Sequence, residues 1–338
     1  MEGSTALTIR KPDDFHVHLR QGPMLAEVLP FTARVFARAL VMPNTTPPIT
    51  DGQGMIKYQR DIRKLLSANP DFTPLGCLCL TDSTTVDILS YAQTCGAIAA
   101  KLYPECVSNV ERLAPIFEAM QKLDMVLSIH GELPDAESDT AEYEFLTGPF
   151  WWIYTNFPEL KIVWEHVSNE LVVNSLEKYP PRVGATITAH HLVLTRDDVL
   201  GKAHNYCRPP AKGRKDREAL VRAVTSGNPK FFFGSDSAPH HAFTKGSLNP
   251  PPGIFSAPVA LQILAQVFES ANALDKLENF VYCFGAAFYG LPLNGGRTRL
   301  VKSIWQVPYA YACQISDQLT DTVVPFMAGR WLRWKVVE

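Results

Sequence analysis

The sequence predicts an α/β protein, a (β/α)8 or TIM barrel with a C-terminal extension, and three observations point there. Short apolar or β-branched runs bounded by Pro, Gly, Asn or Asp recur eight times. Stretches with helical spacing separate most of them, and strands that alternate with helices pair in parallel. Histidines, a lysine and an aspartate recur at the C-terminal ends of these runs, the rim on which such barrels carry their chemistry. Eight units of this kind favour a closed barrel over an open sheet.

In chain order, the candidate strands cover 14–19, 37–42, 73–80, 97–103, 126–130, 161–166, 185–190 and 230–234. Helical spacing falls between them over 52–66, 86–92, 110–123, 170–178 and 215–226. The Pro-rich stretch 248–253, LNPPPG, follows the last strand and precedes a helical run over 258–269. It reads as a long loop, not a domain linker. Residues 295–338, with Trp305, Trp331 and Trp334, are expected to form a meander packed on the barrel, so that 1–338 is a single domain. There is no internal repeat beyond this rhythm and no low-complexity run.

Composition narrows the function. The 338 residues include 32 Lys+Arg against 34 Asp+Glu, a net charge of −2, and no aromatic residues interleaved with a basic stripe; nucleic acid is not an expected partner. Apolar residues at 46% and charged residues at 20% describe a folded chain. Seven cysteines, an odd number without a CxxC pair, argue against a disulfide framework. Neither a leader-like segment nor a membrane-length apolar run stands out, so a soluble, cytoplasmic protein without a membrane partner is expected. Phosphate-cradling GxxxxGK[ST], GxGxxG and the nucleophile elbow GxSxG are all missing.

The strongest local signal is His16-Val17-His18-Leu19-Arg20. Strand alternation points His16 and His18 to the same side, about 6.5–7 Å apart, a span one metal ion can bridge. His130 and His166 close two further strands, Lys101 lies inside another, and Asp236 stands just past the last. Each residue alone has an ordinary reading: a core histidine, an N-cap aspartate, a lysine paired with Asp236. Their recurrence at one rim favours a metal centre. A lysine belongs there only if its amine has reacted with carbon dioxide to give a carbamate, which bridges two ions as a carboxylate does. Paired ions activate water and polarise a carbonyl, while Asp236 transfers the proton to a leaving nitrogen. Arg20, Asn44 and His240 beside this machinery suit a carboxylate, so the residues describe a metal-dependent hydrolase for a carboxylate-bearing amide. His190-His191 would crowd a site that already has its ligands, and Cys207 reads as packing.

These residues resemble the amidohydrolase superfamily, and within it the class II dihydroorotases of bacterial and fungal type. The resemblance runs over nearly the whole chain, through Lys11-Pro12-Asp13-Asp14-Phe15-His16, Val41-Met42-Pro43-Asn44, Lys101-Leu102-Tyr103-Pro104, His130-Gly131-Glu132, Glu165-His166, Thr188-Ala189-His190-His191, Gly234-Ser235-Asp236-Ser237-Ala238-Pro239-His240 and Val324-Pro325-Phe326. It implies two zinc ions per chain, bridged by carboxylated Lys101 and a hydroxide. One would sit on His16, His18, Lys101 and Asp236, the other on Lys101, His130 and His166. Arg20, Asn44 and His240 would hold the substrate carboxylate, and the backbones of Arg208 and Ala257 would contact its ring. The implied reaction interconverts N-carbamoyl-L-aspartate and L-dihydroorotate in pyrimidine synthesis, and a homodimer is expected.

One departure stands out. The family usually carries a longer loop with two threonines after the lysine strand, whereas here Glu105-Cys106-Val107-Ser108-Asn109 leads directly into a helix. The lid is shortened, and Ser108 and Asn109 are the residues at hand to replace its hydrogen bonds. Two alternatives therefore stand beside dihydroorotase: a related hydrolase of another cyclic amide or imide, and a non-catalytic scaffold.

Overall fold

Mostly buried runs of three to seven residues form the eight barrel strands of the computed structural model, which describes residues 5–66, 71–316 and 319–337. The first strand of the chain, β1 (Ala6–Arg10), lies outside the barrel. The barrel is one parallel sheet in sequence order: β2 (Asp13–Val17), β3 (Arg38–Val41), β4 (Thr73–Cys79), β5 (Ala97–Leu102), β6 (Val126–Ile129), β7 (Ile162–Trp164), β8 (Val183–Ile187) and β9 (Phe231–Phe233). Helical segments follow each strand, among them Gly22–Ala33, Gly52–Lys64, Val86–Thr94, Ala114–Lys122, Glu170–Leu176, Arg214–Ser226 and Ala260–Ser270. The predicted α/β barrel is the observed one.

The seam between first and last barrel strands is closed just beyond β9. Asp236 N donates to His16 O at 2.8 Å, and His18 N donates to Ser237 O at 3.0 Å. The ring therefore closes through the residues that the sequence marks for metal binding. Ladder register slips in β2 between Asp14 and Val17, because the Asp14 carboxylate accepts from His16 N at 3.1 Å and Ser235 N at 2.8 Å. Simple alternation from His16 to His18 is thus corrected: β2 ends at Val17, and His18 stands beyond it.

Inside the barrel, Phe15, Leu40, Cys77, Ala99, Val126, Val163 and Phe232, one from each of seven strands, share a core with Ala286 and Tyr289. The Tyr289 ring stacks on Phe15 at 4.9 Å, plugging the end of the barrel away from the ligand-bearing strand ends. Gly285 allows this approach, since a Cβ there would lie 2.2 Å from the Phe15 ring. A larger apolar layer, including Trp164, Phe150 and Leu264, fills the space between strands and helices.

The extension differs from the expected meander. Strand β10 (Arg297–Gln306) pairs antiparallel with both β1 and β13 (Trp331–Val337), while β11 (Tyr311–Ser316) and β12 (Leu319–Val323) form a separate hairpin. The sheet takes its edge strand from the other end of the chain. Nothing near Ala6–Arg10 announces that strand, whose partner is some 290 residues away.

Candidate metal centre and substrate pocket

Three ligand atoms meet above the closing seam. His16 Nε2 lies 3.3 Å from His18 Nε2, and Asp236 Oδ1 lies 3.0 Å from His18 Nε2 and 3.4 Å from His16 Nε2. Atoms bound at about 2.0–2.2 Å to one tetrahedral ion stand at edges of this size. On both imidazoles the other nitrogen is committed: His16 Nδ1 donates to Glu165 Oε2 at 2.8 Å, and His18 Nδ1 donates to Asn44 Oδ1 at 2.6 Å. Each Nε2 lone pair is thereby turned toward the common point. Glu165 is itself held by Ser128 Oγ at 2.5 Å and Thr186 Oγ1 at 2.6 Å.

A second group stands beside the first. His130 Nδ1 lies 3.2 Å from His166 Nε2, and His130 Nε2 donates to Glu132 Oε2 at 2.9 Å. The His16 and His166 rings are 5.1 Å apart, so the two groups adjoin. Lys101 is fully buried, yet its Nζ has no hydrogen-bond partner, and neither has His166 Nδ1. Orphaned buried polar groups are costly, and a bound ligand is an ordinary remedy. The residues fit a divalent metal.

Electrostatics agree with that fit. Burial pushes His18 down to about 4 and His166 well below its usual value, so both are neutral at pH 7, as ligands must be. Burial also lowers Lys101, favouring the amine, the form that adds carbon dioxide. For Asp236 burial works against the charge, but the neighbouring His18 and His16 side chains outweigh it and hold the carboxyl below its usual range, ionised at pH 7. His166 and Asp236 adopt φ of +42° and +43°, uncommon for these residues, which turn their side chains out of the strand direction into the mouth.

The mouth is a cavity of about 280 Å3 lined by both groups together with Arg20, Asn44, Tyr103, Glu105, Arg208, Ala238, His240 and 251–253. Arg20 Nε donates to Pro239 O at 2.8 Å. His240 Nε2 lies 2.9 Å from both Arg20 Nη2 and Pro252 O, and one ring nitrogen satisfies only one of them. Burial, then Arg20, pushes His240 down to about 3, so it is neutral beside the guanidinium.

Most residues predicted for the site are brought together here, with three differences. Lys101 lies beneath the cavity rather than on its wall. Ala257 does not line it, because its N–H donates to Ser237 Oγ at 3.0 Å and Ala238 takes the wall position. Ser108 and Asn109 do not replace the lid: Ser108 N is held by Asp82, Ser108 Oγ by Arg112, and Asn109 Oδ1 caps Glu111 N. Only Glu105 of that segment reaches the cavity. His190 and His191 cluster with Cys207 away from the lining; His191 bonds Thr188 Oγ1 and Pro209 O, each at 2.9 Å. Sequence reasoning gave no role to Glu132 and Glu165, which orient the histidines, although each lies within two residues of a ligand histidine.

A parallel barrel whose rim gathers four histidines, a buried lysine and an aspartate defines a metal-dependent amidohydrolase. No family model matches the chain. A dihydroorotase from Coxiella burnetii is 41% identical over 344 residues, covering 98% of this chain and 97% of its own length. Among solved structures, a dihydroorotase from Saccharomyces cerevisiae in complex with 5-fluoroorotic acid superimposes with a TM-score of 0.90 at 34% identity, covering 99% of both chains. Dihydroorotase from Campylobacter jejuni gives 0.88 at 34% identity, over 98% of this chain and 97% of that one. The chain belongs to the dihydroorotase family.

Proposed function

We propose that this protein is a zinc-dependent dihydroorotase that interconverts N-carbamoyl-L-aspartate and L-dihydroorotate. The observation that carries the proposal is the meeting of His16 Nε2, His18 Nε2 and Asp236 Oδ1 within 3.0–3.4 Å in a cavity that also holds Arg20. His16, His18 and Asp236 would hold one ion and His130 and His166 the other, with Lys101, as its carbamate, shared between them. When bound, such ions polarise the ring carbonyl and lower the pKa of water.

The chain's own groups do the rest. Arg20 offers its N–H groups to the substrate carboxylate, with Asn44 and His240 beside it, which fixes the ring and its scissile amide over the histidines. Asp236 takes the proton of the attacking water and delivers it to the ring nitrogen as the C–N bond breaks. In the reverse direction it removes that proton as the amide forms. The Tyr103 ring and the wall at 251–253 restrict water around the reacting atoms.

The test is turnover of L-dihydroorotate by the zinc-loaded protein, run beside hydantoins, dihydropyrimidines and cyclic imides. Hydrolysis favouring the carboxylated ring is expected. If dihydroorotate is inert while a ring without the carboxylate turns over, the protein is a hydrolase of another cyclic amide, and if every ring is inert with metal bound, it is a scaffold.

A further inference from the structure

We propose that Lys245, which lies outside the cavity lining, is a positioning residue: its ammonium joins the wall segments at 206–208 and 251–253 and thereby sets the carboxylate-binding pair Arg20 and His240. The inference rests on the dihydroorotase reading and adds to it a residue that touches no substrate. Three consecutive prolines, Pro250 to Pro252, have no N–H to donate, so this part of the wall cannot fasten itself by a backbone ladder. Its carbonyls take donors from elsewhere. Lys245 Nζ donates to Gly253 O at 2.9 Å, Pro251 O at 3.0 Å and Tyr206 O at 3.1 Å, one acceptor for each ammonium N–H. Tyr206 O also accepts from Gly253 N at 2.9 Å. The lysine is buried at the end of the short helix Ala242–Lys245.

The joined segments bear directly on the substrate-binding side chains. Pro252 O lies 2.9 Å from His240 Nε2, and that nitrogen lies 2.9 Å from Arg20 Nη2. Gly253, at a φ of +145°, packs so closely that a Cβ there would stand 2.5 Å from Ala238 O and 2.9 Å from the His240 ring. A shift of 251–253 therefore moves His240, and with it the guanidinium that receives the carboxylate. None of the three acceptors of Lys245 belongs to a proposed metal ligand, so the lysine bears on substrate capture and not on the metal side of the cavity.

Protonation decides whether the join is complete. The ammonium has three donors, whereas the amine keeps two and leaves a buried carbonyl unpaired. Burial lowers Lys245 to about 8, so binding of a carboxylate should weaken as pH rises through that value. The titratable and charged groups around Nζ are Tyr206, whose ring lies 5.8 Å away, Cys207, His204, His240 and Arg20, with His241 and Asp321 on the side of the β11–β12 hairpin. Burial raises the Cys207 thiol and lowers His204 and His240, so these three stay neutral between about pH 7.5 and 9.

The test is calorimetry of the zinc-loaded protein with orotate, the unsaturated ring that carries the same carboxylate. With about a tenth of the ammonium left at pH 9, wild type should bind orotate about fivefold more weakly there than at pH 7. Lys245→Met should bind about tenfold more weakly than wild type at pH 7 and lack this fall. Lys245→Arg, whose guanidinium stays charged, should lack it too. In turnover of L-dihydroorotate at pH 7, Lys245→Met should raise KM about tenfold, with kcat within about twofold of wild type and bound zinc unchanged. A wild-type affinity that is flat across this range overturns the proposal without recourse to any variant. So does a wild-type fall no steeper than that of Lys245→Arg, or a loss of kcat and zinc alongside KM, which would make Lys245 a general support of the fold. Binding that follows the expected pattern without turnover overturns only the activity, turnover without the pattern overturns only the role of Lys245, and failure of wild type to bind orotate overturns both.

Discussion

Lys101 is the residue whose surroundings make least sense without a ligand. Its ammonium would be buried beside neutral histidines with no hydrogen bond, whereas the carbamate brings two oxygens that metal ions satisfy. Lys101→Ala should abolish most turnover and lower bound zinc below the wild-type stoichiometry, with partial rescue of both by small carboxylic acids. Full activity and metal content in that variant would remove the bridge from the mechanism. Arg20 acts on the other side of the cavity: Arg20→Met should lower kcat/KM for L-dihydroorotate by roughly 2 kcal/mol, about thirtyfold, the worth of one charge-assisted hydrogen bond. An unchanged kcat/KM on every carboxylated ring would show that the anion pocket lies elsewhere. The six positions proposed as metal ligands could be picked out in the sequence because histidine, lysine and aspartate are conspicuous at the ends of apolar strands. Glu132 and Glu165 could not, since what a carboxylate accepts depends on strands that meet only in the closed barrel. That the Ala257 N–H is taken by Ser237 was equally hidden, since no spacing reveals it.

At the scale of elements, eight strands and most helices follow from the rhythm of apolar runs, but the strands stop short of their predicted ends. His130, His166 and His190 all fall outside them. A residue that must turn into the mouth leaves the ladder, as the positive φ of His166 records. The end of β6 is particularly constrained, because Gly131 lies where a Cβ would come within 2.2 Å of the Trp164 ring. Gly131→Ala should cost about 1–3 kcal/mol of stability and displace His130 and Glu132, read as a lower urea midpoint together with zinc loss. Retention of both would mean that Trp164 can yield. The helix Ala141–Phe145 carries a pH-dependent contact. Glu142 is buried and raised to about 7, chiefly by desolvation, and it receives Ser168 N at 3.1 Å. Between its ordinary value and about 7 the folded chain holds a proton that the unfolded chain has released. Stability from this group is therefore full below that window and lost as pH rises through it. Glu142→Gln should flatten the fall in urea midpoint across the window, and a slope identical to that of wild type would assign the dependence to other groups.

Across the whole molecule, the two ends of the chain are tied into the same body as the active site. Strand β1 pairs along β10, and the hairpin β11–β12 packs with Phe255 and Ala257 against Met24 and Val28 of the first barrel helix. Phe326 N donates to Phe255 O at 2.8 Å, just beyond the loop whose residues 251–253 wall the cavity. Trp334, fully buried in β13, donates to Glu269 at 3.0 Å, and Lys302 pairs with the same carboxylate at 2.7 Å. These contacts leave the extension no core of its own, so barrel and extension should unfold as one unit. The proposed metal centre sits on the seam where His16 and His18 meet Asp236 and Ser237, so ions bound there would also hold the ring closed. A ligand at about a thousand times its dissociation constant adds roughly 4 kcal/mol, enough to raise the transition of a chain this long by roughly 5 °C. Calorimetry should accordingly show a single transition for the chelator-treated protein and a single transition at higher temperature after zinc is restored. Two separate transitions in the metal-free protein would make 295–338 an independent domain. An unchanged temperature on adding zinc would place the ions away from the seam.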